Sequence, residues 1–95
     1  MTPNIEIIEF FTDRTPTMKK NLAPTKAILE EKKVIGFIVH DIKKIFLWQG
    51  MMSEMREIFQ AMDIVNELVK GRCKNYTIER EVDGGESEEF LSFLH

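Results

Sequence analysis

The sequence has little that would tie the chain together covalently or break it up. Cys73 is its only cysteine, so no internal disulfide forms. Its first residues, Met1-Thr2-Pro3-Asn4, show no basic patch followed by an apolar stretch. Both features predict a chain with no signal peptide in a reducing, cytoplasmic setting. Three prolines and five glycines in 95 residues exclude collagen-like and low-complexity architectures. No apolar run approaches the ~18–20 residues of a membrane span. Positive charge is outnumbered, with 13 Lys and Arg against 16 Asp and Glu and a net charge of −3. Nucleic-acid binders are usually basic, so no nucleic-acid partner is expected. The two histidines are His40 and His95. There is no zinc spacing, no Ser–His–Asp or Cys–His pattern and no phosphate-cradling glycine loop. An enzyme is therefore not expected.

What is present is ordinary for one soluble globular domain: 43% hydrophobic and 31% charged residues. No internal repeat or linker divides it. Asn4–Phe11 alternates and predicts a strand. Thr12–Pro24, with Pro16, Pro24 and several lysines, reads as a connection. Lys26–Lys33 fits either a short helix or a strand. Val34–His40 is short, continuous and β-branched, as in a strand buried on both faces. Asp41-Ile42-Lys43 turns the chain into a second strand, Lys44–Gln49, ended by Gly50. Ser53 is a candidate N-cap for a helix running to about Lys70, with Gly71 as its left-handed stop. Lys74–Val82 reads as a strand, Asp83-Gly84-Gly85 as a turn and Ser87–Leu94 as a short helix. The order predicts an α/β (α+β) layer structure, with a mixed sheet of four or five strands and helices on its faces.

Projected at ~100° per residue, Met51, Met55, Ile58, Met62, Val65 and Val69 form the stripe expected on the sheet. Met52 and Phe59 widen it on one side, Ala61 and Leu68 on the other. The apolar arc exceeds the ~100° that a one-sided surface helix needs. Ile64 falls near Glu57 and Gln60, on the side expected to be wet. It is either a lone exposed isoleucine, which is common, or an anchor for a partner's groove.

Two stretches are more specific than any periodicity. One is Ile45-Phe46-Leu47-Trp48-Gln49-Gly50 leading into Glu57 and Ala61 of the helix. The other runs from Arg80 to Leu94 through Gly84, Glu86, Ser87 and Phe90. Together they resemble the gelsolin/villin family, whose repeats show Trp-x-Gly, an early helix Glu, a mid-helix Ala, and Gly-x-Glu-Ser before a Phe-containing helix. The match covers about residues 33–94. It also resembles the short, single-domain gelsolin-like proteins of archaea related to eukaryotes, with residues 1–95 as one gelsolin-like domain.

The resemblance implies a five-stranded mixed sheet between a long helix and a short one, and actin as partner. In the family the outer face of the long helix enters a hydrophobic cleft on actin. The positions implied here are Glu57, Gln60, Ile64, Glu67 and Leu68. The expected activity is sequestering monomers, or capping and slowing filaments. The alternative is a gelsolin-like scaffold in another complex, as in vesicle coats, that binds no actin.

Calcium is the one cofactor the resemblance implies. For an intradomain site Glu57 (or Glu54) matches the helix ligand. The acidic strand position falls on Val34-Ile35, leaving Glu30 or Glu31 as substitutes. A site shared with actin would use Glu67 (or Asn66) and the main-chain oxygens of Gly71 and Cys73. Lys19, Lys20, Lys26, Lys32 and Lys33 read first as a solubilising face and second as a patch for a phosphoinositide membrane surface.

Overall fold

A computed structural model of the chain describes residues 5–10, 17–19 and 29–94. The elements are β1 (Ile5–Phe10), β2 (Thr17–Lys19), β3 (Val34–Val39), a 3₁₀ turn (His40–Ile42), β4 (Lys44–Gln49), α1 (Met55–Lys70), β5 (Thr77–Val82) and α2 (Glu88–Leu91). The five strands lie in the order β2-β1-β3-β4-β5. The pairs β1/β2, β1/β3 and β3/β4 are antiparallel, and β4/β5 is parallel.

Period-two alternation sorts the strands between two cores. One face carries Ile8, Phe10, Val34, Ile38, Ile45 and Leu47 against Ile58, Ala61 and Val65 of α1. The other carries Ile7, Ile35, Phe37, Val39, Phe46 and Trp48 against Phe90 and Leu94. All six residues of β3 are buried, as its unbroken apolar run predicts for a strand covered on both sides. Phe90 closes the second core, with its ring 5.2 Å edge-on from Phe37 and 5.6 Å from Phe46.

Four local readings change. The fifth strand is Thr17–Lys19, inside the segment read as a connection. Its pairing of Ile7 with Lys19 and Ile8 with Met18 is non-local, and Lys19 suits the sheet edge on which β2 lies. Residues 29–33 form neither helix nor strand, and Lys26, Ala27 and Ile28 lie outside the described residues. Ser53 is not the N-cap: its hydroxyl donates to the Gly50 carbonyl (2.8 Å), and Glu54 takes the cap position. Gly71 is not left-handed (φ −115°, ψ −113°). The helix unwinds through turns 71–75, with Asn75 at φ 74°, so β5 begins at Thr77 rather than Lys74.

Candidate functional site

The long helix has two unlike faces. Ile58, Ala61 and Val65 are buried on the sheet, and Met62, Ile64, Leu68 and Val69 are half-buried beside them. The centre of the buried arc is Ala61, whose small side chain lets the helix approach the sheet closely. Relative to the predicted stripe the helix is rolled by about 60°, at ~100° per residue. That roll carries apolar residues outward. Met55 is 66% exposed and Phe59 61%, one helical turn apart on the same face. Met51 (71%) and Met52 (59%), in the turn before the helix, are also exposed. Met51 and Met55, expected on the sheet, therefore stand in solvent. Met51 lies before the helix starts, where helical projection does not apply.

The turn holding these methionines is fixed by its backbone. The Met52 N–H donates to the Glu31 carbonyl (2.7 Å), and the Gly50 N–H to the Lys33 carbonyl (2.9 Å). The Met51 N–H donates to Asp83 Oδ2 (3.3 Å). The main chain is anchored to two other loops while the side chains stay outside. The patch is thus presented on a rigid support, and exposed apolar patches of this kind mark interaction surfaces.

The residues of the two specific stretches build the frame beneath. The Trp48 indole N–H donates to Glu86 Oε2 (3.1 Å), and the Gly84 N–H to Glu86 Oε1 (3.1 Å). Burial pushes the Glu86 carboxyl up, but these hydrogen bonds outweigh it and hold the carboxyl below its ordinary range. Glu81 is buried and accepts from both the Ser87 N–H (2.7 Å) and hydroxyl (3.0 Å). Ser87 Oγ in turn accepts from the Phe90 N–H (3.3 Å), capping α2. Their spacing reflects folding chemistry: they lock β4, the 83–87 loop and α2 together.

No protein-family model matches the sequence, and no curated protein matches it. Solved structures do match. A chain in the crystal structure of the Thorarchaeota ProGel/rabbit actin complex superposes with a TM-score of 0.83 at 28% identity, covering 96% of this chain and 99% of that one. The chain is a gelsolin-like domain. A chain in the Thorarchaeota 2DGel3/rabbit actin complex matches all of it and 47% of its own length, with a TM-score of 0.80 at 19% identity. The human COPII-coat protein Sec24c matches 95% of it over 15% of its own length, with a TM-score of 0.63 at 9% identity. At those two identities the likeness is one of fold.

Within this gelsolin-like domain the sequence-derived positions lie along one flank of α1, away from the methionines. Glu57 is buried, Gln60, Ile64 and Leu68 are half-buried, and Glu67 is exposed. Ile64 and Leu68 pack against the α1-side core, so Ile64 has a structural role that the one-dimensional projection did not give it. Among the described residues, Met51, Met52, Met55 and Phe59 form the more accessible apolar surface. The signal for it was in the sequence, as an apolar arc too wide for a one-sided helix, but the helix roll was not.

The calcium ligands implied by the resemblance do not converge. Glu57 and Glu67, implied for two separate sites, are ten residues apart on α1, about 15 Å along the axis. Ile35 points into the α2-side core, on the opposite face of the sheet from α1. Glu30 pairs with Lys33 (3.5 Å). Near the helix end, Glu67 sits 3.9 Å from Lys70, and the Gly71 and Cys73 carbonyls accept turn hydrogen bonds from Lys74 and Tyr76. Cys73 is fully buried, and burial pushes its thiol up. Among the described residues no group of three or more His, Cys, Asp and Glu is placed to hold a metal ion. The shared set supplies one carboxylate, Glu67, and the intradomain set pairs Glu57 with Glu30 or Glu31, both fewer oxygens than the six to eight calcium takes.

A second polar cluster went unread because three distant segments supply it. His40 Nδ1 lies 2.7 Å from the Tyr76 hydroxyl, and its Nε2 lies 3.5 Å from Glu6. Arg72 Nη2 is 2.8 Å from Glu6 Oε2, an oxygen that is buried without an aligned hydrogen bond. Partial burial pushes the Glu6 carboxyl up, but Arg72, then His40, outweigh it and hold it below its ordinary range. These contacts pin β1 and the end of β3 to the turn after α1.

Proposed function

We propose that this gelsolin-like domain binds actin through the apolar outer surface formed by Met51, Met52, Met55 and Phe59. The carrying observation is that four large hydrophobic side chains stand 59–71% exposed on a turn and helix start whose backbone is anchored. The similar Thorarchaeota chain was crystallised with rabbit actin, which supports actin as the occupant. Phe59 is the anchor, since buried aromatics dominate binding energy at interfaces. Met51, Met52 and Met55 supply adaptable apolar contact around it. Occupying actin this way would sequester monomers or slow filament growth.

The test is a pyrene-actin polymerisation titration, with calcium and with chelator. The expected result is a dose-dependent fall in rate or plateau, equal in both conditions. Phe59→Asp is expected to weaken the effect at least ~10-fold, the equivalent of about 1.4 kcal/mol. No effect of the unaltered protein at any dose would refute actin binding. Unchanged potency of Phe59→Asp would refute this surface.

A further inference from the structure

Three of the four side chains on the proposed docking surface are thioethers. Met51, Met52 and Met55 are 71%, 59% and 66% exposed, whereas Met62, one turn beyond Phe59, is half-buried. The domain's only thiol is shielded from oxidants. Cys73 is fully buried, and burial pushes it away from the reactive thiolate. Among the sulfur-bearing side chains whose burial is described, a peroxide therefore finds the most exposed ones together, on the apolar surface at the start of α1.

We propose that Met51, Met52 and Met55 form an oxidation-sensitive switch on this surface, their conversion to sulfoxides by a peroxide turning docking off. The inference rests on the actin-binding reading above. In each event a thioether lone pair attacks one peroxide oxygen and the O–O bond breaks. The transferred oxygen stays on sulfur, and its proton passes to the departing hydroxide to make water. Sulfur is oxidised by two electrons and hydrogen peroxide is reduced. The product is polar and chiral where the methionine was flexible and apolar, so it cannot enter a dry cleft without leaving its oxygen unsatisfied. Folding is spared, because the three side chains stand outside both cores. Sulfoxide reductases that act on the two epimers would restore the surface.

The experiment treats the full chain with hydrogen peroxide and follows oxidation by peptide mapping, with and without actin. Actin affinity is titrated before and after treatment. Met51, Met52 and Met55 are expected to oxidise ahead of Met62 and Cys73, and bound actin to slow all three. Affinity is expected to fall at least ~10-fold and to return after reductase treatment. In the variant Met51→Leu/Met52→Leu/Met55→Leu, the ratio of affinity after peroxide to affinity before is expected to stay within about twofold, whatever its own starting value. Untreated protein that binds actin, with no loss after complete oxidation of the three positions, overturns the switch alone. So does a leucine variant as peroxide-sensitive as the parent. Untreated protein that fails to bind actin overturns the binding reading and the switch with it.

Discussion

Of the five glycines, Gly50 has the least room for a side chain. A Cβ built there would lie 2.4 Å from the Glu31 carbonyl oxygen, 2.6 Å from its carbon and 2.8 Å from the Glu30 oxygen. All three are backbone atoms, which cannot swing aside as a flexible side chain does. Gly50→Ala must therefore separate the 30–33 segment from the turn after β4. Two hydrogen bonds cross that seam, Gly50 N–H to Lys33 (2.9 Å) and Met52 N–H to Glu31 (2.7 Å). Overpacking costs about 1–3 kcal/mol, and losing one of these bonds about 1 more. The sum, about 2–4 kcal/mol, is a large share of the ~5–15 kcal/mol that holds a domain together. At ~4–8 °C per kcal/mol for a domain of this size, melting should fall by roughly 8–32 °C. Gly84→Ala is the contrast. Its φ of +87° strains any side chain, but nothing lies within 4 Å of the added carbon, so about 1–2 kcal/mol is expected. Urea and thermal unfolding of both variants decide the matter. A Gly50→Ala protein within ~0.5 kcal/mol of the parent would refute the argument. Because the same seam fixes the backbone of Met52, Gly50→Ala should weaken actin binding as well.

The two flanks of α1 separate by paired measurements. Ile64→Asp places a carboxylate against the α1-side core and should destabilise by about 2–3 kcal/mol. Phe59→Asp should stay within about 0.5 kcal/mol of the parent in stability while losing affinity. An Ile64→Asp variant that melts normally yet loses actin would move the interface to the Gln60–Glu67 flank. Acid stability follows from Glu6 and Glu86. Both carboxyls titrate below their ordinary 4.5 in the folded state. The stability they contribute is therefore complete above that value and is lost as pH falls through the lowered ones. Urea midpoints should be flat at neutral pH and decline on the acid side. Arg72→Met should lower neutral-pH stability by about 0.5–1 kcal/mol and shallow that decline. An acid slope unchanged by Arg72→Met would remove Arg72 as the cause.

Much of the domain was legible because its signals are local. The unbroken apolar run of Val34–Val39, the alternation at the start of β1 and the apolar set of α1 each state a periodicity and a degree of burial. Trp48, Gly50, Glu86, Ser87 and Phe90 were legible as a pattern, and the structure gives the pattern its chemistry: an indole hydrogen bond, a backbone close approach, a helix cap and a core ring. The candidate surface was half legible. An apolar arc too broad for one buried face announced spare hydrophobic residues, but Met55, assigned inward, is exposed, and Ile64, assigned outward, is half-buried.

Local sequence determined most of the segments that become strands and helices, because their periodicity and burial are written in each short window. Tertiary structure decided three things that no window of residues contains. Thr17–Lys19 became a strand because β1 offered an open edge to pair with. Glu6, His40, Arg72 and Tyr76 became one cluster because the sheet brings three distant segments to the same end. The helix rolled until Ala61 met the sheet, since close packing favours the smallest side chain at the point of nearest approach. That rotation buried Ile58 and Val65, half-buried Ile64, and turned Met55 and Phe59 toward solvent.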